Sequence, residues 1–242
     1  MSTGANPREV FAEPSFYFRR DYFIDVRCAL VRQLTGSVDG ATIADLGCGD
    51  GRVSLQFGRE ASSITLVDFS DAMLERARAR SAGASAAVEF IRADVSSVEL
   101  DRRFDVIICV GVLSHLPSPE NMVARIARAL KPGGVAVLQI TDAGTLLGRL
   151  AIATEGMRSR LKGRPNWFPR ISSRTLESWG ARAGLRLETV KRHGVIVPGL
   201  GRLPNETLLS WDLFVSKHPL LAAAGADAIA LFRRDAAAGD NQ

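Results

Sequence analysis

Ala44-Asp45-Leu46-Gly47-Cys48-Gly49-Asp50-Gly51 is the stretch that decides how this chain folds. Three glycines at alternate positions follow an apolar, strand-like run and precede helix-compatible sequence from Arg52 to Glu60. Glycine tolerates positive φ and leaves the backbone bare, so a strand-to-helix turn of this kind brings main-chain N–H groups close to a ligand. A dinucleotide site would need G-x-G-x-x-G. Here the glycines fall at 47, 49 and 51, and Arg52 holds the place of the third glycine, so another nucleoside ligand is expected.

Outward from this turn, short β-rich runs alternate with helical segments, the pattern of a parallel sheet wound on both faces. Strands are expected at about 41–46, 63–68, 87–92, 104–110, 134–140, 185–192 and 226–233, with helices between them. The segment Asp21 to Leu34 places Phe23, Val26, Leu30, Val31 and Leu34 at helical spacing, which suits a helix packed on the sheet edge over the ligand end. Phe16, Tyr17, Phe18, Arg19 and Arg20 either close over the ligand or form a frayed arm.

Four motifs in order resemble the class I S-adenosylmethionine-dependent methyltransferases of small-molecule type, over roughly Thr42 to Gln139. That family's first loop reads D-x-G-x-G-x-G, matched from Asp45 to Gly51. Thr65-Leu66-Val67-Asp68-Phe69-Ser70 is similar to its second strand, which ends in the acid that binds the cofactor ribose; Asp68 lies 17 residues beyond Gly51. Phe90 to Val95 is similar to the end of its third strand, where an acid and the next residue frame the adenine, and Leu130-Lys131-Pro132-Gly133-Gly134 to the turn before strand five. The resemblance implies an α/β, Rossmann-like doubly wound seven-stranded sheet, mostly parallel with an antiparallel last strand. It implies S-adenosyl-L-methionine as cofactor, touched by Asp45, Gly47, Cys48, Gly49, Asp68, Phe69, Asp94, Val95 and Cys109.

The acids have a physical reading of their own. A carboxylate at a strand's carboxyl end accepts both ribose hydroxyls, and hydrogen bonds to a charged acceptor contribute roughly 1.5 to 3 kcal/mol each. Asp68 suits that role because Ser70 or Asp71 already supplies the cap of the next helix. Asp94 reads either as an adenine-side acid or as a cap ahead of Ser96. Asp45 is either an orienting group near the cofactor's amino end or an acid that braces the loop amides.

Composition bounds the remainder. A chain of 242 residues with 46% hydrophobic content buries one substantial core. Cys28, Cys48 and Cys109 are scattered without a CxxC pair, so no metal site or disulfide framework is expected and a reducing, cytoplasmic setting is. The polar start, Met1 to Glu9, does not read as a signal peptide, and no apolar run approaches the roughly 18 residues of a spanning helix. The expected organisation is an N-terminal arm and cover helix (1–40), a catalytic domain (41–234) and a disordered tail (235–242).

Two insertions, at about 141–172 and 193–225, would emerge at the carboxyl edge of the sheet, where open α/β folds bind ligands. From Arg149 to Arg174 the first carries seven Arg or Lys against Glu155 alone. With a net charge of +5, that basic stretch is either a solvated face or a site for a phosphate, carboxylate or lipid headgroup, through Arg158, Arg160, Lys162 and Arg164. An amphipathic helix bearing Leu146, Leu147, Leu150, Ile152 and Met157 is either a lid or a membrane-surface contact. Strand four ends in Cys109-Val110-Gly111-Val112, not in the Asn/Asp-Pro-Pro-aromatic run of enzymes that methylate exocyclic base nitrogens, which weighs against nucleic acid.

A sulfonium methyl is already activated, so the protein chiefly has to hold the acceptor in line. For a neutral hydroxyl acceptor a positioned base adds about 10²- to 10⁴-fold. His115, Asp142 and His193 follow strands four, five and six and are the candidates, while Trp167, Phe168 and Trp211 would wall an apolar pocket. The expected activity is methyl transfer to a small-molecule acceptor, to oxygen, in secondary metabolism or on a sugar or lipid intermediate. An amine acceptor, RNA, a turnover-free cofactor sensor and a nicotinamide oxidoreductase are the alternatives.

Overall fold

Strand alternation builds the molecule. In the computed structural model, which describes residues 21–100, 103–161, 169–195 and 203–236, seven strands form one sheet. They are β1 (Thr42–Leu46), β2 (Ser63–Asp68), β3 (Ala87–Arg92), β4 (Phe104–Cys109), β5 (Leu130–Thr141), β6 (Leu185–His193) and β7 (Asp227–Arg234), in the order β3-β2-β1-β4-β5-β7-β6. β1 to β5 run parallel, and β7 is antiparallel to both β5 and β6. The predicted doubly wound sheet with its antiparallel last strand is the one observed.

The described helices are α1 (Asp21–Thr35), α2 (Arg52–Leu55), α3 (Asp71–Arg80), α4 (Pro119–Ala129), α5 (Leu146–Leu161), α6 (Ser173–Arg182), α7 (Asn205–Lys217) and α8 (Pro219–Ala222). Successive strand residues point to opposite faces, so both faces of an inner strand must be apolar. Ile108 packs with Val26 and Leu30 of α1, whereas its neighbours Ile107 and Cys109 pack with Met122 and Ile126 of α4. The reversal in β7 works the same way: Ile229 and Leu231 join the α1 side, Ala228, Ala230 and Phe232 the other.

Three details depart from the sequence reading. The helix expected from Arg52 to Glu60 is a single turn, Arg52–Leu55, followed by tight turns through Gly58, whose carbonyl accepts from Ser85 and Ala86 N–H. β5 begins at Leu130, so the Lys131–Gly134 turn is absorbed as an irregularity between the pairs Phe104↔Leu130 and Val106↔Val135. The cover helix α1 lies on the sheet's face, against β5, β7 and α7, rather than at its edge, because Val26, Leu30 and Val31 are wholly buried. The residues 1–20, which include the aromatic arm, and 237–242 lie outside those described.

Candidate active site

The glycine turn is tied to the end of β2. Gly47 N and Cys48 N both donate to the Val67 carbonyl, at 2.8 and 3.0 Å, and Gly49 N donates to Asp68 Oδ2 at 2.9 Å. Asp68 Oδ1 accepts from Ser70 N at 2.9 Å, so the buried carboxylate holds two loops at once. Burial pushes the Asp68 carboxyl up, against the pull of the Ser70, Gly49 and Phe69 amides. Ser70 stands at the N-cap position of α3, but its side chain makes no capping bond.

Two glycines of the turn have different reasons to be glycine. At Gly47, with φ +78, an added Cβ would run into the Val112 side chain, so this residue lets the loop after β4 close against the turn. At Gly49, with φ +55, an added Cβ would meet nothing within 4 Å. Gly49 therefore presents bare backbone to open space beside Asp68, the cradle a bound nucleoside requires.

Asp45, the last-but-one residue of β1, is 3% exposed, and its Oδ2 has no hydrogen-bond partner among the described residues. Burial pushes this carboxyl up to about 7, reinforced by the charges of Asp68 and Asp50 and opposed by the neighbouring Ser54 hydroxyl. A buried carboxylate oxygen left without a donor is costly, and the protonated amine of an amino-acid moiety would satisfy it. The bare loop, the buried orphan oxygen and the acid at the end of β2 together fit S-adenosylmethionine.

The other predicted cofactor contacts are placed as follows. Cys48 is buried beside Asp45 and Asp68, and burial raises its thiol. Cys109 closes β4 with its side chain wholly in the α4 core, so it offers the site only backbone. Asp94 Oδ1 accepts from Ser96 N and Ser96 Oγ at 2.8 and 2.7 Å, a turn-bracing arrangement, and Val95 is buried behind it.

The catalytic candidates separate into three situations. His115 ends a short 3₁₀ turn, Leu113–His115, beyond β4. Burial and the nearby Arg27 guanidinium lower its pKa to about 4, so the imidazole is neutral at physiological pH. Asp142 accepts from Gly144 N, Ser173 N and Ser173 Oγ, and pairs with Arg192 Nε at 3.2 Å. Those bonds hold its carboxylate low, against the effect of burial, and lock the starts of α5 and α6 to β6. His193, at the end of β6, is 1% exposed, and neither ring nitrogen has a partner among the described residues.

Four residues around them escaped the sequence reading. Thr141 and His193 both lie directly across from Asp227 in the sheet register, and Thr141 Oγ1 donates to Asp227 Oδ1 at 2.9 Å. Asp212 of α7 accepts from Gly194 N at 2.8 Å. Burial lowers the His193 pKa, opposed by Asp227 and Asp212 and assisted by Arg27 of α1. Arg27 also borders Gly111 just after β4, where an added Cβ would lie 3.2 Å from its guanidinium. These residues meet only when β7 inserts between β5 and β6, and no local motif announces that. Trp211 donates to the Val195 carbonyl at 3.4 Å and stacks on Phe214, while Trp167, Phe168, Lys162 and Arg164 lie outside the described residues. Among the described residues no group of His, Cys, Asp and Glu is gathered to hold a metal ion, and no helix is long and apolar enough to cross a membrane.

Comparison with known proteins agrees with this geometry. Residues 43–134 match a family model described as a methyltransferase domain. The chain is 29% identical over 170 residues, 69% of each chain, to a ubiquinone biosynthesis O-methyltransferase of Alkalilimnicola ehrlichii. It is 29% identical over 155 residues to the protein of that name in Xanthomonas euvesicatoria, covering 62% of this chain and 65% of the relative. Among solved structures, magnesium protoporphyrin IX methyltransferase from Synechocystis, with bound S-adenosylmethionine, superposes with a TM-score of 0.64 at 14% identity, covering 97% of this chain and 100% of that one. The N-methyltransferase NodS of Bradyrhizobium japonicum superposes at 0.60 with 15% identity, covering 91% of each.

Proposed function

We propose that this chain is a class I S-adenosylmethionine-dependent methyltransferase that moves the methyl group to an oxygen atom of a small-molecule acceptor. The observation that carries the cofactor half of this reading is Gly49, Asp68 and the unsatisfied Asp45 oxygen on one loop system. The acceptor half is supported by the likeness to relatives named O-methyltransferases. A sulfonium-bound methyl needs no further activation, so the residues have to bind, orient and deprotonate.

In this reading Asp68 accepts the ribose hydroxyls, Gly47 and Gly49 supply bare backbone, and Asp45 meets the cofactor's ammonium. Phe69, Asp94 and Val95 line the adenine side, while Cys48 and Cys109 contribute through main chain and packing. Asp142, its carboxylate engaged by several donors, braces the acceptor-side insertions rather than moving a proton. The acceptor's proton passes to His115, which follows the strand next to the glycine turn. His193 lies three strands from β4, about 14 Å across at the usual strand spacing, so it faces a more distant part of the acceptor.

Asp45 makes cofactor affinity depend on pH. Its folded-state pKa, raised to about 7, means the ligand-free protein keeps it protonated below that pH. An ammonium favours the carboxylate, so S-adenosylhomocysteine binding should tighten as pH rises from 6 to 8, with proton release at the lower pH. Calorimetry in buffers of different ionisation enthalpy measures both, and pH-independent affinity would remove Asp45 from this role. The stability sign is opposite: a carboxyl raised on folding disfavours the ligand-free fold as pH climbs from about 4 through 7.

For His115, held neutral down to about pH 4, the acid limb of kcat/KM for the acceptor, measured with S-adenosylmethionine saturating at every pH so that Asp45 does not contribute, should fall near that pH. Loss of that limb in His115→Ala, with His193→Ala retaining it, is the expected result. An acid limb near 6.5 in the parent enzyme points away from His115.

The overall test is incubation with methyl-labelled S-adenosylmethionine and extract separated into polar metabolites, lipids and RNA. Label in a small-molecule fraction, stable to conditions that cleave methyl esters but lost on ether cleavage, is the expected outcome. Label confined to RNA overturns the reading.

A further inference from the structure

α5 is built inside out for a helix of a water-exposed domain. Its inward face carries small side chains: Gly148 and Gly156 are buried, and Gly148 lies so close to the Asp142 carbonyl that no Cβ fits. Four of its six large apolar residues point the other way, Leu146, Leu150, Met157 and Leu161 being 71, 52, 65 and 83% exposed, while Leu147 and Ile152 are half-buried. At 100° per residue these four fall within an arc of about 60° and extend over about 22 Å. They form one continuous stripe rather than scattered surface leucines. Exposed Arg149 and Arg160 flank it on one side and exposed Arg158 on the other.

A second element extends the same surface. Thr145 Oγ1, at the start of α5, donates to the Gly225 carbonyl at 2.9 Å, tying this helix to the segment that follows α8. α8 presents Leu220 at 92% exposure and Leu221 at 39%. Both helices stand at the carboxyl edge of the sheet, the edge to which the glycine turn and His115 also belong.

We propose that the apolar stripe of α5, with Leu220 and Leu221 of α8, docks this protein onto an anionic lipid surface. Leucine and methionine side chains enter the acyl boundary while Arg149, Arg158 and Arg160 meet the headgroups, the division of labour of an interfacial helix. The sign of the flanking charge selects the occupant. A second copy of this chain would have to set these arginines against its own, since Glu155 is the one acid between Arg149 and Arg174. Docking at this edge turns the methyl-transfer site toward the bilayer, so the acceptor is an apolar molecule taken from the membrane interface. That last step rests on the function proposed above, whereas the docking does not.

Co-sedimentation of the full chain with vesicles of phosphatidylcholine alone, or with about a third of phosphatidylglycerol, tests the docking without any acceptor. Partitioning at least tenfold stronger onto the anionic vesicles is expected, weakening as salt is raised. The double variant Leu150→Glu/Leu161→Glu should lose it while keeping the parent melting temperature and S-adenosylhomocysteine affinity, because both side chains are already solvent-exposed. Absence of binding to anionic vesicles, binding unchanged in the double variant, or a stable dimer that the double variant dissolves would each overturn the proposal. Failure of cofactor binding in the parent protein would instead strike at the proposed function and leave the docking result standing.

Discussion

Asp68→Ala is expected to weaken S-adenosylhomocysteine binding by about 1.5 to 3 kcal/mol, roughly 10- to 150-fold in Kd. The carboxylate does two things that a single variant confounds. It accepts from Gly49 N and Ser70 N, holding the glycine turn to the start of α3, and in the proposed role it also accepts from the ribose. Asp68→Asn keeps one backbone donor satisfied but turns its NH₂ toward the other, so the melting temperature of each variant, measured beside its affinity, separates loop damage from the lost ribose contact. The Asp68→Asn protein should therefore melt below the parent by the cost of one unsatisfied buried donor, about 1–3 kcal/mol, and bind with most of the alanine variant's loss. Calorimetric affinity unchanged in both variants would end the ribose assignment.

Gly47→Ala and Gly49→Ala should fail in opposite ways. Both positions have positive φ, but only at Gly47 does the new methyl meet the Val112 side chain. Strain of about 1–3 kcal/mol plus the displaced valine should lower the melting temperature of Gly47→Ala by roughly 5–10 °C at 2–4 °C per kcal/mol. Gly49→Ala meets no protein atom within 4 Å, so its melting temperature should move by only a few degrees, at about 1–2 kcal/mol of left-handed strain. Its methyl would stand in the space beside Asp68, and cofactor affinity should drop at least tenfold. A stable, normally binding Gly49→Ala would mean that the ligand does not approach this backbone.

How far the candidate site could be read in advance differs residue by residue. Asp45, Gly47, Gly49 and Asp68 lie on one strand-turn-strand unit whose geometry follows from local chemistry: glycine where φ is positive, a carboxylate where β2 ends. Asp94 carried two local readings: its bonds to Ser96 brace the turn, and the adenine-side role proposed above rests on the resemblance. Asp142 stood at the expected strand end, yet its donors come from Ser173 and Arg192, 31 and 50 residues away. Nothing near position 142 announces them. The same limit applies to α5: the pattern of Leu146, Leu150 and Met157 revealed an apolar stripe, but a stripe fits a lid as well as an exposed face.

The sequence by itself determined the alternation of strands and helices, the glycine turn after β1 and the acid at the end of β2. Each depends on interactions within a few residues: period-two burial, glycine's left-handed φ and the directional ends of strands. Only the tertiary structure decided that β7, expected to be antiparallel, inserts between β5 and β6, aligning Thr141, Asp227 and His193, and that the charge of Arg27 of α1 acts on both histidines. It alone decided which side of α5 faces water, where small residues against Asp142 leave the leucines outside. Those outcomes depend on contacts between segments tens of residues apart, where packing and desolvation, not local propensity, set the free energy.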